Sequence, residues 1–229
     1  MILNKINDFF KGWTKLDFAW LLIANAIMLG LSIRNGDTVV SMICAVTGIV
    51  SVIFASKQMT ANYVVGLINV ALYAYLSYQA KLYGDFQLNA FFYVPMQFIG
   101  YYMWNKAKNK SSEHKVEAKR LTGEQAIFIS VGTIGTILVY AKILDMLRGN
   151  ITLIDSASTV LSVIAMILMV KQYTEQWYMW VLVNIVSIVM WVVSLSQGTG
   201  DLATLLMWVV FLINSIFGLV NWRKASKKA

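Results

Sequence analysis

The sequence predicts an all-α membrane protein of eight transmembrane helices: an extra N-terminal helix, then two parallel three-helix repeats joined through a linker helix. Three observations predict it. Of the 229 residues, 59% are hydrophobic and only 13% charged, with a mean hydropathy of +0.65, whereas ordinary soluble domains carry about a quarter charged residues. Eight apolar runs divide the chain, and the second half repeats polar and aromatic positions of the first in the same order.

A hydrocarbon core of about 30 Å needs about 20 mostly apolar residues per helix. Such runs lie at 17–34, 38–56, 62–81, 86–105, 124–147, 155–171, 176–196 and 201–222. Tight turns such as Arg34-Asn35-Gly36-Asp37 and Gln197-Gly198-Thr199-Gly200 separate most of them, and the sizeable polar linker is 105–123. The first run follows Lys5, Lys11 and Lys15 but lacks a small-residue cleavage site, so it reads as an anchor. With the N-terminus inside, 15 of the 19 Lys and Arg fall on the cytoplasmic side, leaving Arg34, Lys81, Lys142 and Arg148 outside. Acidic residues divide six to five, the indifference expected of carboxylates under the positive-inside rule. An odd number of spans would put the Lys-rich linker or the Lys-rich tail on the wrong side. The net charge of +8 therefore reports topology, and no nucleic acid partner is expected. Cys44, the single cysteine, cannot form an internal disulfide and reads as packing.

In the first half Ser51-Val52-Ile53, Lys57-Gln58, Thr60, Asn69, Gly84-Asp85, Gly100 and Trp104 occur in order. Ser162-Val163-Ile164, Lys171-Gln172, Thr174, Asn184, Gly200-Asp201, Gly218 and Trp222 match them, the offset drifting from 111 to 118. Three spans plus one linker span return the chain to the same side, so the repeats are parallel and related by an axis along the membrane normal. The expected organisation is 1–37 as N-terminal region with the extra helix and 38–105 as the first bundle. Residues 106–150 are then a basic cytoplasmic linker with the linker helix, and 151–229 the second bundle with a basic tail.

At helical spacing, polar and aromatic side chains gather on stripes: Asn69 and Tyr73 in span 3, Asn89 and Gln97 in span 4, Trp177, Trp180 and Asn184 in span 7, and Trp208 in span 8. Such stripes suit a ligand with a flat ring and several hydroxyls, since amides donate and accept while indoles stack and attract cations. Two readings stand together, because amides also hold helices to one another. Tryptophans at span ends, Trp13, Trp20, Trp104 and Trp222, are read as an interfacial belt. No ionisable residue lies mid-span, which points to passive transport and away from a proton relay. There is no phosphate loop, metal-ligand cluster or nucleophile–base pair, so no enzyme, cofactor or metal site is expected. Pro95, the lone proline, should kink span 4 by leaving the Phe91 carbonyl free.

The runs Asn62-Tyr63-Val-Val-Gly66, Leu72-Tyr73-Ala-Tyr75, Leu82-Tyr83-Gly84-Asp85, Asn89-Ala-Phe91-Phe92 and Gln97-Phe98-Ile-Gly100 resemble the PnuC family of vitamin transporters. Thr174-Glu175-Gln-Trp177-Tyr-Met-Trp180 and Asn184 extend the resemblance, which covers about residues 38–224. It implies a SWEET-like 3+1+3 fold, uptake of nicotinamide riboside by facilitated diffusion, and trapping of that substrate by a cytoplasmic kinase. It also implies a bacterial inner membrane location, in contact with lipid and with both termini cytoplasmic; a homo-oligomer is compatible with it. Gln97, Trp177, Trp180 and Asn184 carry over as binding positions, with Asn89 and Phe92. Tyr101 departs from the tryptophan that many members have there. Nicotinamide riboside, with its cationic ring and ribose, suits the stripes; thiamine, a riboflavin-type vitamin or a sugar remain the alternatives.

Overall fold

Thr14 opens the first helix with a capping box: its hydroxyl accepts from the Asp17 amide, and the Asp17 carboxylate accepts from the Thr14 amide. That helix, α1 (Lys15–Asn35), ends at Gly36, whose φ of 77° is the left-handed conformation a helix stop favours. There follow α2 (Val39–Ser56), α3 (Ala61–Gln79), α4 (Tyr83–Gln87), a π-helical turn (Leu88–Tyr93) and α5 (Val94–Lys110). After the linker come α6 (Gly123–Met146), α7 (Thr152–Val170), α8 (Gln176–Ser196) and α9 (Leu202–Ala225). The computed structural model describes residues 9–10, 12–80, 83–110, 118–146 and 152–226. Every predicted span is helical, with α4, the π turn and α5 together forming the fourth. Among the described residues the sole β-type pairing is an isolated parallel bridge, Lys119 with Tyr173.

Five helices are long and apolar enough to cross a membrane by composition alone: α1, α2, α8, α9 and the 123–143 part of α6. The apolar stretch of α7, Ser156–Val170, is shorter, and α3 and the fourth span are diluted by polar residues. In α3 the buried ones are Asn62, Tyr63, Asn69, Tyr73 and Ser77, while Tyr75 and Tyr78 are exposed. In the fourth span, Pro95 cannot donate to the Phe91 carbonyl, and the turn before it widens so that the Val94 amide reaches back to the Asn89 carbonyl. The expected proline break is thus realised as a π turn, a device often found at functional sites.

Six spans close into a ring. Contacts run from α2 to α3, α3 to α5, α5 to α7, α7 to α8, α8 to α9 and α9 back to α2. Helix α1 lies outside this ring against α2 and α9, and α6 lies outside it against α7. The first helix of each repeat therefore packs on the last helix of the other. Helix α1 is tied down by a Lys57–Asp17 ion pair at 2.6 Å and by Trp20 against Phe217 of α9.

At the end of the ring bearing the Lys57 and Lys171 turns, the two repeats build the same lock twice. Gln58 and Gln172, equivalent in the repeat, both take left-handed backbone, with φ of 58° and 69°. The indole of Trp104 donates to the Met169 carbonyl of the second repeat at 3.0 Å, and Trp222 donates to the Ala55 carbonyl of the first at 3.2 Å. Ala55 and Met169 each sit two residues before their turn lysine. Tyr63 lies edge-on to Trp104, with centroids 5.0 Å apart, and fills the space over Gly100. Trp177 stands likewise against Trp222 at 6.2 Å and over Gly218. Trp104 and Trp222 are fully buried, 5.7 Å apart, so they are not the interfacial belt residues that their place at span ends implies. The two glycines leave room for the Tyr63 and Trp177 rings, which brace the Trp104 and Trp222 indoles whose N–H groups donate to carbonyls of the other repeat.

The opposite end is held by carboxylates. Asp37, from the turn after α1, accepts from the Leu202 and Ala203 amides at the start of α9, and Asp201 accepts from the Thr204 amide. Negative groups there answer the unpaired amides and positive end of the helix dipole.

Candidate functional site

The ring encloses a cavity of about 120 Å³ to which all six of its spans contribute and α1 and α6 do not. Eight of the nine residues picked from the stripes and the motifs line it: Asn69, Tyr73, Asn89, Gln97, Trp177, Trp180, Asn184 and Trp208. Phe92 does not. The π turn carries the residue three positions beyond Asn89 further from the cavity than an α turn would. Asn89 and Tyr93 face inward, while Phe92 packs sideways with its ring 5.6 Å from Tyr93.

The amides combine packing with exposure to the cavity. Asn69 Nδ2 donates to the Cys44 carbonyl at 2.9 Å, linking α3 to α2, and the buried Cys44 thiol lies beside it. Asn184 Nδ2 donates to Ser215 Oγ at 2.8 Å, linking α8 to α9, and Ser215 in turn donates to the Phe211 carbonyl. Asn89 Nδ2 donates to the Asp85 carbonyl at 2.8 Å within its own helix. In all three the nitrogen is engaged in structure. Gln97 lies against Gly66, where an added Cβ would stand 2.9 Å from Gln97 Oε1. Glycine at 66 therefore lets the α5 amide reach the cavity across α3.

Aromatic rings supply the remaining walls. Trp180 faces Tyr93 across α8 and the π turn at 6.3 Å, and Trp208 stands edge-to-face with Tyr73 at 5.6 Å. Three lining residues keep buried polar atoms that have no hydrogen-bond partner among the described residues: the donors Trp177 Nε1 and Trp208 Nε1 and the acceptor Asn62 Oδ1. Leaving such a group unmatched costs about 1–3 kcal/mol, so all three atoms mark places where a polar ligand gains.

Sequence reasoning missed Asp85. Counted as the last residue before span 4, it falls inside the helix and lines the cavity. Tyr73 Oη donates to its Oδ2 at 2.8 Å, and Trp191 Nε1 donates to Tyr73 Oη at 2.7 Å, a chain that crosses from the second repeat into the first. Tyr93, Met207 and Phe211 also line the cavity; Tyr93 and Phe211 stand on the helical stripes without having been picked as site residues, and Met207 carried no signal. The Gly84-Asp85 and Gly200-Asp201 match was the available signal, but it reads equally as a pair of turns.

A family model described as nicotinamide mononucleotide transporter matches residues 38–224. The chain belongs to this transporter family. The matched span begins at α2 and stops within α9, so it contains the whole ring and leaves out α1. The chain is 39% identical to the nicotinamide riboside transporter PnuC of Neisseria mucosa over 96% of its own length and 86% of the relative's. It is 33% identical to the protein of that name from Haemophilus influenzae, over 96% and 95% of the two chains. A crystal structure of the vitamin B3 transporter PnuC superposes with a TM-score of 0.85 at 39% identity, covering 95% of this chain and 94% of that one. The resemblance read from the motifs thus holds, and the relatives are transporters rather than enzymes. The chain is a multi-pass membrane transporter that shares the fold of that solved structure.

Proposed function

We propose that this chain carries nicotinamide riboside across the bacterial inner membrane by facilitated diffusion, binding it in the cavity at the centre of the six-span ring. The observation that carries the reading is the combination on that cavity's wall. Indole and phenol faces suit a flat ring, while amide oxygens and the unmatched Trp177 Nε1 and Asn62 Oδ1 suit a carboxamide and a ribose. The names of the relatives support the same substrate.

The passive mechanism is supported by the lining itself. A proton relay needs a series of ionisable groups, and Asp85 is the one acidic or basic side chain among the residues that line the cavity. A passive carrier can only bring its substrate to electrochemical equilibrium, so sustained uptake depends on a cytoplasmic kinase that phosphorylates the substrate into an impermeant form. The Lys57/Lys171 end is cytoplasmic, as is each terminus, in keeping with the excess of Lys and Arg in the loops on that side.

The decisive experiment is calorimetric titration of the purified protein with nicotinamide riboside, thiamine and riboflavin, followed by uptake into vesicles without an imposed gradient. Binding of nicotinamide riboside alone, with uptake that stops at equal concentrations, is the expected result. Tight binding of thiamine alone would overturn the substrate. Accumulation that follows an imposed proton or sodium gradient would overturn the passive mechanism.

A further inference from the structure

We propose that Asp85 makes the cavity selective for a ring that bears a permanent positive charge, orienting the ligand with that ring toward Asp85 and its hydroxylated part toward Gln97 and Trp177. This rests on the nicotinamide riboside reading and deepens it.

Asp85 is the sole acidic or basic side chain among the residues lining the cavity. A carboxylate lining an enclosed cavity is costly to desolvate unless it is paired or hydrogen-bonded. Its setting has the polarity that a negative charge requires: Tyr73 Oη donates to Asp85 Oδ2 at 2.8 Å and is itself polarised by accepting from Trp191 Nε1 at 2.7 Å. Aromatic rings surround the same end. Trp208 stands 5.6 Å and Trp191 5.8 Å from Tyr73, and ring faces add to the attraction for a cation.

The far end of the cavity is different in kind. Gln97 meets α3 at Gly66, seven residues from Tyr73 along the helix, which is about 10 Å at 1.5 Å per residue. That separation is close to the length of a nucleoside. There the lining offers the Gln97 amide, the Asn62 oxygen and the Trp177 indole N–H, all suited to hydroxyls. The cavity is therefore acidic and aromatic at one end and neutral and hydrogen-bonding at the other. A neutral ring of the same shape would lack the attraction that a cationic ring finds in a nearby carboxylate and in the aromatic faces.

The repeat strengthens the assignment. Asp201, the counterpart of Asp85, caps α9 by accepting from the Thr204 amide. Asp85 instead lies in the third residue of α4 with its carboxylate on Tyr73. One copy of the Gly-Asp pair serves a helix end, and the other faces the ligand.

The test uses the purified full chain and two ligands of nearly equal shape: nicotinamide riboside and its 1,4-dihydro form, which keeps the carboxamide and ribose but has no ring charge. The wild type should bind the cationic form at least tenfold more tightly. Asp85→Asn, which keeps an oxygen for Tyr73 to donate to, should lose at least tenfold for the cationic form while binding the dihydro form as well as the wild type does. Asp85→Glu should keep the preference. Equal affinity of the wild type for both forms would overturn charge selection and leave the substrate reading intact. So would an Asp85→Asn variant that weakens both forms alike or keeps the full preference. Failure of the wild type to bind either form would overturn the substrate reading as well. The wild-type comparison needs no variant, so the result does not depend on how the substitution folds.

Discussion

Gly100→Ala sets two known effects against each other. In an open helix interior, replacing glycine by alanine stabilises by about 1 kcal/mol. At Gly100 the added Cβ would stand 2.2 Å from Tyr63 Cε1 and 2.4 Å from Cζ, where ordinary contact begins near 3.4 Å. The ring would have to retreat by more than an ångström. It has nowhere to go, because Tyr63 is 1% exposed and lies edge-on against the fully buried Trp104. Moving Trp104 endangers its bond to the Met169 carbonyl. Overpacking costs about 1–3 kcal/mol, and the upper end applies to a backbone-anchored ring. A lost hydrogen bond adds about 1 kcal/mol. After subtracting the helix-propensity gain of about 1 kcal/mol, the net expectation is destabilisation by about 2–3 kcal/mol. Gly132→Ala is the control, since nothing lies within 4 Å of its added Cβ, and it should be neutral or slightly stabilising. The assay is thermal or denaturant unfolding of the purified variants in one detergent. If Gly100→Ala unfolds at the same point as Gly132→Ala, the lock around Trp104 is not packed as described and the argument fails.

Trp177→Phe removes the unmatched indole N–H while retaining an aromatic ring. It should weaken nicotinamide riboside binding about five- to tenfold, the worth of one hydrogen bond. Unchanged affinity by calorimetry would show that the ligand makes no use of that donor. Asp37→Asn leaves one oxygen where the carboxylate now serves the Leu202 and Ala203 amides. With the dipole contribution also lost, it should cost about 1–2 kcal/mol of stability, read as a lower unfolding midpoint with substrate affinity at the ring centre little changed. An unaltered midpoint would remove Asp37 as a cap for α9.

The helical spans were legible because a bilayer demands runs of set length, and the repeat was legible because polar and aromatic letters recur in order. What a helical phase cannot supply is the partner across an interface. Trp104 and Trp222 look like belt residues from their place at span ends. Only the Gly100 and Gly218 gaps and the carbonyls of Met169 and Ala55, distant in sequence, make them buried locks. Asp85 escaped notice because span counting stops at the first charge, whereas α4 begins two residues earlier. Phe92 came with the motif, but motifs presuppose an α register, and Pro95 imposes a wider turn just before it. Asn69 and Asn184 were read both as packing and as lining residues, and the structure gives them both places.

The reciprocal bonds of Trp104 and Trp222 have the form that a two-fold dimer produces, in which residue i of one subunit meets j of the other and j meets i. A single three-helix unit meeting its own copy would make both bonds with one tryptophan and one carbonyl. Joining the copies through α6 then requires no new interface, only a span that returns the chain to the starting side. Because a main-chain oxygen accepts in each case, the side chains there are free to drift, and they have become alanine in one half and methionine in the other. The cavity wall can therefore differ between the halves while the join between them stays symmetric.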